Sequence, residues 1–450
     1  AYMNAIDEVG KINLIKNLSN GVSIKISALH PRYEMRKIHD LESILIPKLL
    51  ELIHYAKSKD VEITIDAEEQ DRLSLSLHII EILAYNKTIK DWPGFGIALQ
   101  AYGKRSLEVI HWLNSMLEKR EKMHLRLVKG AYWDYEIKHA QVNGYQGYPV
   151  FSKKSLTDIS FLSCAKQLLQ NKKIYPKFAT HNAHTISSIS FLAKDSEYEF
   201  QRLYGMGELL YKSAFEVLNL DKKPSIYAPI GNYKDLLPYL VRRLLENGAN
   251  SSFINRLLDP ETDSKWLAEN PLVRLKKETK EIPLPKDIFN ERKNSSGYDL
   301  SEDEDLKKLK SGLAKFENSL VDAKSIYVGR LESSTSSRKA ISVANNKLIG
   351  SVTFDDPTNI ENALTNKSEL KWNNFSVDER SKVLQDIANH IEKEPNQLIF
   401  YLINEAGKTI QNAIDEIREA VDFLRYYSQQ INDITKNNEL EGPTGEKNNI

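Results

Sequence analysis

Hydrophobic and polar residues alternate in short runs along the first 260 residues, and amphipathic stretches separate these runs. Seven runs have the alternation typical of a β-strand, and they cover residues 21–27, 62–67, 95–101, 124–129, 177–180, 199–203 and 225–229. Two intervening stretches, 41–56 and 71–84, repeat their apolar positions with the period of an α-helix. Strands that alternate with helices predict a parallel α/β sheet, either closed into a (β/α)8-type barrel or open and doubly wound.

Nearly every predicted strand ends in a side chain that is capable of chemistry. These residues are Lys25, Asp66, Glu68, Gln100, Lys129, Thr180, His181, Asn182 and Tyr227. Barrel active sites gather residues from the C-terminal ends of several strands, whereas a doubly wound sheet concentrates its ligand contacts at one switch point. The distribution favours the barrel. Because only seven strands are visible, we expect its first strand to lie upstream of Ala1.

The composition of the chain changes after the barrel region. Residues 261–340 contain a Pro-rich run, an Asn-Ser-Ser-Gly run and an acidic run, which together predict a linker. Residues 341–450 then show a strand-like run at 348–354 and helical patterns at 356–365, 376–394 and 398–430. We therefore predict a barrel over 1–260, a linker over 261–340 and a further, incomplete region over 341–450.

Composition excludes several classes of protein. Of 450 residues, 41% are hydrophobic and 28% are charged, and 62 basic residues balance 62 acidic ones, so DNA binding is not supported. The single cysteine, Cys164, excludes an internal disulfide, and its apolar helical surroundings predict a core residue. No apolar run approaches the ~20 residues that span a bilayer. The chain begins with Ala, which suggests a fragment.

One strand carries two cations into a turn. Arg126 and Lys129 precede Gly130, and cations beside free backbone N–H groups suit an anionic ligand. Tyr132 and Trp133 add flat surfaces for a ring. The alternative is a strand end with solvated charges and a core tryptophan, and the motif alone does not separate the two.

Three other groups of residues leave more than one interpretation. His181 and His184 are three apart, but no third metal ligand is evident, which favours structural or cofactor hydrogen bonds. Arg242 and Glu246 are spaced for a surface ion pair worth about 0.3–0.5 kcal/mol, although Arg242 with Arg243 suits bidentate binding of a carboxylate. The carboxylates at positions 66, 68 and 69 could serve in acid–base chemistry, in metal binding or in balancing nearby positive charges.

A further motif resembles the end of a phosphate-binding loop. It is the Ala-Gly-Lys-Thr run at 406–409, and the loop requires a glycine where Leu402 stands. The run also lies within a helical pattern, so we predict no phosphate site there.

Taken together, these segments resemble a known family. GVSIKISALHPRYE (21–34), TIDAEEQDRL (64–73), LRLVKGAYWDYEIKHAQ (125–141), KFATHNAHT (177–185), FQRLYGMGELLY (200–211), IYAPIG (226–231) and LVRRLLENGANSSFINR (240–256) closely resemble the proline dehydrogenase part of bacterial proline utilization A. NEAGKTIQNAIDEIREAVDFLRYY (404–427) looks like the start of that family's aldehyde dehydrogenase module.

The resemblance implies roles for individual residues. Arg242 and Arg243 match the pair that holds the proline carboxylate, and Glu246 would orient them. The proline pocket would be lined by Lys25, Asp66, Tyr132 and Tyr227. The FAD contacts would be Gln100, Arg126, Val128, Lys129, Gly130, Ala131, Trp133, Thr180, His181, Asn182 and Glu246, with Arg126 near the flavin N5 and Lys129 at the pyrophosphate.

The resemblance also implies an activity: oxidation of L-proline to Δ1-pyrroline-5-carboxylate with FAD. In the longer parent protein it implies NAD-dependent oxidation of glutamate semialdehyde, which is not expected of this truncated chain. In the parent, a membrane quinone would accept the electrons. The protein would lie in the cytoplasm or peripherally at the inner membrane, and the question of a homo-oligomer is left open. The alternatives are a catalytically inactive structural fragment and a barrel of other chemistry that binds a phosphate at Lys129.

Overall fold

The seven predicted strands are present and form one parallel sheet. The structure is a computed structural model that describes residues 1–16, 19–220, 223–234, 236–237, 239–241, 265, 268–279, 281–326, 336–365, 371–436 and 439–449. The strands follow one another across the sheet in chain order. They are β1 (Gly21–Ile24), β2 (Glu62–Ile65), β3 (Phe95–Gln100), β4 (Met123–Val128), β5 (Ile174–Ala179), β6 (Glu199–Leu203) and β7 (Ser225–Tyr227).

Side chains that cross the sheet show that it is curled into a barrel. Lys177 of β5 donates to Glu62 of β2 over 2.5 Å between Nζ and Oε2. These strands are three positions apart in the sheet, which in a flat sheet would separate them by about 14 Å. Such contacts require strong curvature, so the barrel-like α/β fold predicted from the strand ends is confirmed. Seven strands belong to this sheet among the described residues.

The two faces of the sheet have different compositions. Residues Ile63, Ile65, Leu125 and Leu127 are buried in one hydrophobic cluster with residues of the helices. The intervening positions face the barrel interior because strand side chains alternate. There Thr64 hydrogen-bonds His124 over 2.8 Å between Oγ1 and Nε2, so the interior is partly polar.

Among the described residues, eight α-helices precede or connect these strands, and their apolar stripes complete the core. In the second of them, Leu41, Leu45 and Leu49 are fully buried at i, i+4 and i+8. The helices are α1 (Tyr2–Lys16), α2 (Ile38–Ser58), α3 (Leu73–Ala84), α4 (Ser106–Met116), α5 (Trp133–Val142), α6 (Lys154–Gln170), α7 (Ala183–Ala193) and α8 (Glu208–Leu218). Helix α9 (Pro271–Lys277) lies further along the chain and packs on α6.

The chain divides into two compact units. The first comprises residues 1–138 and 148–282, and the second comprises 139–147 and 283–450. The second unit contains α10 (Asp303–Ala314), β8 (Val321–Ala323), β9 (Ser336–Ile341), β10 (Leu348–Phe354), α11 (Pro357–Thr365), α12 (Val377–Lys393), α13 (Asn396–Asn404), α14 (Ile410–Lys436), β11 (Glu439–Glu441) and β12 (Lys447–Asn449). Strands β8, β10 and β9 form a three-stranded sheet, and β11 pairs with β12.

The prediction of one helix over 398–430 was wrong, because two helices occupy this stretch. Helix α13 ends at Asn404 and α14 begins at Ile410. Between them Gly407 has a positive φ of 70°, a conformation that ends a helix and that glycine adopts without strain. The Ala-Gly-Lys-Thr run is therefore an interhelical turn. No helix in the described part of the chain is long and apolar enough to cross a membrane.

Candidate active site

Arg126 of β4 joins the ends of three other strands. Its Nη1 donates to Ser23 of β1 over 2.8 Å, and its Nη2 pairs with Asp66, just after β2. Its guanidinium carbon lies 5.0 Å from the ring centroid of Tyr227 on β7. The structure therefore brings Arg126, Asp66 and Tyr227 together at the C-terminal edge of the sheet, where barrel enzymes act. We call these residues, with Ser23, the arginine cluster.

Two members of the arginine cluster have raised pKa values. Burial raises the pKa of Asp66, and this outweighs the opposing effect of the Arg126 guanidinium. Burial also raises the pKa of Tyr227 to about 12, with a smaller contribution from the Asp66 charge. Tyr227 is therefore a neutral phenol near pH 7, and Asp66 binds a proton more readily than an exposed aspartate.

Lys25 lies beside this cluster, between a carboxylate and an aromatic ring. Its Nζ is 3.6 Å from Oε2 of Glu68 and 5.9 Å from the ring centroid of Tyr132. The Glu68 side chain is only 1% exposed, and it also accepts from the Ser27 backbone N–H over 2.9 Å and from Arg72 over 2.5 Å. The buried Glu68 carboxylate therefore helps to fix the position of the Lys25 ammonium group.

Tyr2 of α1 is a residue of this site that the sequence analysis missed. Its hydroxyl oxygen accepts the Lys25 backbone N–H over 3.0 Å. Burial raises the pKa of Tyr2, the hydrogen bond from Lys25 opposes that shift, and the charges of Asp66 and Glu68 add to it. No sequence motif marks this tyrosine, because only the folded chain brings α1 to the end of β1.

The loop after β4 contains the other predicted anion-binding residues. Lys129 pairs with the buried Asp158 of α6. Gly130 has a φ of 143°, and a Cβ there would overlap the Tyr102 ring, so this position requires glycine. The Ala131 backbone N–H donates to Gln100 Oε1 over 3.2 Å.

Gln100 and Trp133 hold this loop in place. The Nε2 of Gln100 donates to the Glu68 carbonyl over 2.7 Å, so Gln100 connects the loops after β2 and β4. Trp133 Nε1 donates to the Phe151 carbonyl over 2.9 Å. The half-buried Val128 accepts the Ala101 N–H through its carbonyl over 2.8 Å.

The three residues after β5 form hydrogen bonds within the protein. Asn182 caps α7 by accepting the Thr185 N–H over 2.9 Å, and its own N–H donates to Thr180 Oγ1 over 3.2 Å. His181 Nε2 accepts the Leu203 N–H over 3.1 Å. In the described parts of the chain, no three His, Cys, Asp or Glu residues are arranged to hold a metal ion.

The remaining predictions concern residues apart from these loops. Arg242, Arg243 and Glu246 lie outside the described residues, so their predicted roles stay predictions. Cys164 is fully buried, as predicted, and burial raises the pKa of its thiol to about 11.

Glu136 of α5 is a buried carboxylate that the sequence analysis did not identify. Its Oε1 accepts the Gln70 N–H over 2.7 Å and the Tyr102 hydroxyl over 3.2 Å. Burial raises its pKa to about 7, and the charges of Asp71 and Glu69 contribute. Glu136 is therefore partly protonated at neutral pH.

Replacing Glu136 by glutamine is expected to reduce the loss of stability at high pH. The folded state holds the Glu136 proton up to about pH 7, against a reference pKa of 4.5, so its stabilising contribution is lost as pH rises through this window. Glutamine keeps both accepted hydrogen bonds and does not ionise. Urea unfolding at about pH 5 and about pH 8 measures the effect, with exposed Glu121→Gln as control. Parallel pH dependences for wild type and Glu136→Gln would contradict the prediction.

The chain matches two families over separate stretches. Residues 1–256 match the model for proline dehydrogenase, and residues 331–450 match the model for the aldehyde dehydrogenase family. The bifunctional protein PutA of Salmonella typhimurium is 40% identical over 473 residues, covering 99% of this chain and 36% of the relative. Proline dehydrogenase 1 of Bacillus subtilis is 30% identical over 219 residues, covering 47% of this chain and 63% of the relative.

A solved structure is similar over nearly the whole chain. It is described as proline utilization A with proline bound in remote sites, and it superposes with a TM-score of 0.81 at 35% identity, covering 99% of this chain and 44% of that one. The chain thus spans 36% of the length of the curated PutA relative. The proline dehydrogenase model covers more than half of the chain, including the whole arginine cluster, so this chain belongs to the proline dehydrogenase family.

Proposed function

We propose that this chain oxidises L-proline to Δ1-pyrroline-5-carboxylate with FAD as its cofactor. Family membership supports the proposal, as do relatives named proline dehydrogenase and bifunctional protein PutA. The observation that carries it is the arginine cluster with Lys25 beside it, because an arginine, a carboxylate, a lysine and a tyrosine converge at the edge where barrel enzymes act.

The donor set at this edge fits a flavin dinucleotide. Lys129 and the backbone N–H groups near Gly130 suit phosphate oxygens, and the guanidinium of Arg126 suits a polar ring edge. Tyr132 and Trp133 are half-buried aromatic surfaces nearby. The proposed cofactor contacts are Gln100, Arg126, Val128, Lys129, Gly130, Ala131, Trp133, Thr180, His181, Asn182 and Glu246. When bound, FAD supplies the hydride acceptor.

The protein's part in the reaction is to position the substrate. We assign the carboxylate of proline to Arg242 and Arg243, with Lys25 as a third cation and Glu246 orienting the arginines. Tyr132 and Tyr227 would line the ring. Holding the ring in one orientation presents the carbon next to nitrogen for hydride loss, and such positioning is a large part of catalysis.

The amine proton needs an acceptor. Loss of a hydride from the neighbouring carbon is assisted by the nitrogen lone pair, so the secondary amine must be neutral. Asp66 is the proposed acceptor, because burial raises its pKa and favours protonation. Its pairing with Arg126 keeps the carboxylate in place while it carries charge.

A further proposal concerns the second family match. Residues 331–450 match the aldehyde dehydrogenase model, and we propose NAD-dependent oxidation of glutamate semialdehyde for a protein that contains this module in full. A membrane quinone is the proposed electron acceptor. The proposed location of the protein is the cytoplasm or the surface of the inner membrane. The proposed domain limits remain 1–260, 261–340 and 341–450.

Purified protein supplied with FAD is expected to show a flavin absorption band that L-proline bleaches under anaerobic conditions. D-Proline is the matched control and should leave the band unchanged, because its carboxylate cannot reach the same cations in a productive orientation. Replacing Arg242 by methionine should weaken binding of a non-oxidisable ring-carboxylate analogue about tenfold or more. A bound flavin that L-proline fails to reduce would overturn the proposed function and favour a structural role.

A further inference from the structure

Helix α9 contributes an arginine to a group of charges that includes Lys129 of the loop after β4. It lies beyond residues 1–256, the stretch that matches the proline dehydrogenase model. Arg274 of α9 has its Nη2 3.5 Å from Oδ2 of Asp158 on α6. A second contact fastens the end of α9, because Ser155 donates to Glu278 over 2.5 Å between Oγ and Oε1.

Asp158 is thus shared by two cations. Its Oδ1 pairs with Lys129 Nζ, and its Oδ2 faces Arg274. The side chains are 5% exposed for Asp158, 11% for Arg274 and 25% for Lys129. At this depth charges interact strongly, so Arg274 offsets part of the Asp158 charge that acts on Lys129.

His184 of α7 lies near the same group, and its surroundings disfavour the charged imidazole. Burial lowers its pKa, the cations Arg274 and Lys129 lower it further, and Asp158 opposes them. The electrostatics of this spot therefore depend on Lys129, Asp158 and Arg274. With Arg274 absent, the full charge of the buried carboxylate would act on Lys129 and oppose any anion beside it.

We propose that Arg274 is a positioning residue for phosphate binding: it engages Asp158 and so leaves the Lys129 ammonium able to bind the pyrophosphate of FAD. This inference rests on the proposed function for its ligand. Lys129 is the more exposed cation and directly precedes Gly130, so it is the one that meets the ligand. Helix α9 is then part of the cofactor site, although it lies in the segment predicted as a linker.

Titration of the full-length apoprotein with FAD and, separately, with riboflavin tests the inference. Arg274→Met is expected to weaken FAD binding about tenfold, as loss of a supporting partner does at other sites. Riboflavin has no phosphate, so its affinity should change by less than about twofold. Arg274→Lys should keep most of the FAD affinity. Lys276→Met, at an exposed position of the same helix, is the matched control.

A second substitution separates the electrostatic role from a purely structural one. Asp158→Asn removes the charge that opposes the ligand, so adding it to Arg274→Met should return FAD affinity to within about threefold of wild type. Equal weakening of FAD and riboflavin, or no recovery in the double variant, would overturn the inference. Phosphate-specific weakening in a protein that L-proline does not reduce would instead overturn the proposed function and leave the inference standing. A wild-type protein that binds no FAD would overturn both.

Discussion

Replacing Arg126 by methionine is expected to lower the rate of flavin reduction by L-proline about a hundredfold or more. The guanidinium holds Ser23, Asp66 and Tyr227 from three strands, and methionine replaces none of these contacts. The proposed proton acceptor would lose its partner, and its pKa would rise further. Anaerobic stopped-flow reduction of the FAD-loaded protein measures the rate, with exposed Lys104→Met as control.

The same substitution should also lower the free energy of unfolding by about 2 kcal/mol, because it leaves a largely buried carboxylate without its cation. Adding Asp66→Asn removes that charge and should recover most of the stability, while reduction stays slow. This pair of variants separates folding from chemistry. Reduction at near wild-type rate in Arg126→Met would remove the arginine cluster from the proposed mechanism.

Replacing Gly96 by alanine is expected to give the largest loss of stability, about 3 kcal/mol, or failure to fold. Gly96 of β3 is paired in register with His124 of β4, and both face the barrel interior. A Cβ at Gly96 would overlap the His124 ring and also its carbonyl oxygen. Because the carbonyl belongs to the backbone of the central strand, no rotamer change relieves the overlap.

Gly147→Ala is the matched control for this prediction, since a Cβ there has no atom within 4 Å. Its free energy of unfolding should stay within about 0.5 kcal/mol of wild type. Urea unfolding of both variants measures the difference. Equal stability of Gly96→Ala and the control would contradict the close packing of β3 against β4 at Gly96.

The elements of the barrel could be predicted because each depends on local pattern. Every predicted strand is present within a few residues of its limits. One helix limit in the second unit could not be predicted. The chain breaks between α13 and α14 at Gly407, although the residues on both sides have a helical pattern. One residue with a positive φ ends a helix without disturbing the periodicity of its neighbours.

Some residues of the candidate site could be predicted from the sequence and others could not, for a related reason. Strand-end residues such as Asp66, Arg126 and Tyr227 could be found because parallel strands bring their C-terminal ends to one edge. Tyr2 and Glu136 could not, because each lies on a helix and enters the site or its surroundings only through packing. Arg274 was assigned to a linker, since nothing in its local sequence indicates a contact with Asp158.

By itself the sequence determined the α/β alternation, the strand-end residues of the candidate site and, through its motifs, the proline dehydrogenase resemblance. Only the tertiary structure decided which charges meet: Arg126 with Asp66, Lys25 with Glu68, and Lys129 with an aspartate shared by Arg274. The reason is physical. Strands and helices follow from the periodicity of neighbouring residues, whereas an ion pair depends on distance in space and on the low dielectric that burial creates.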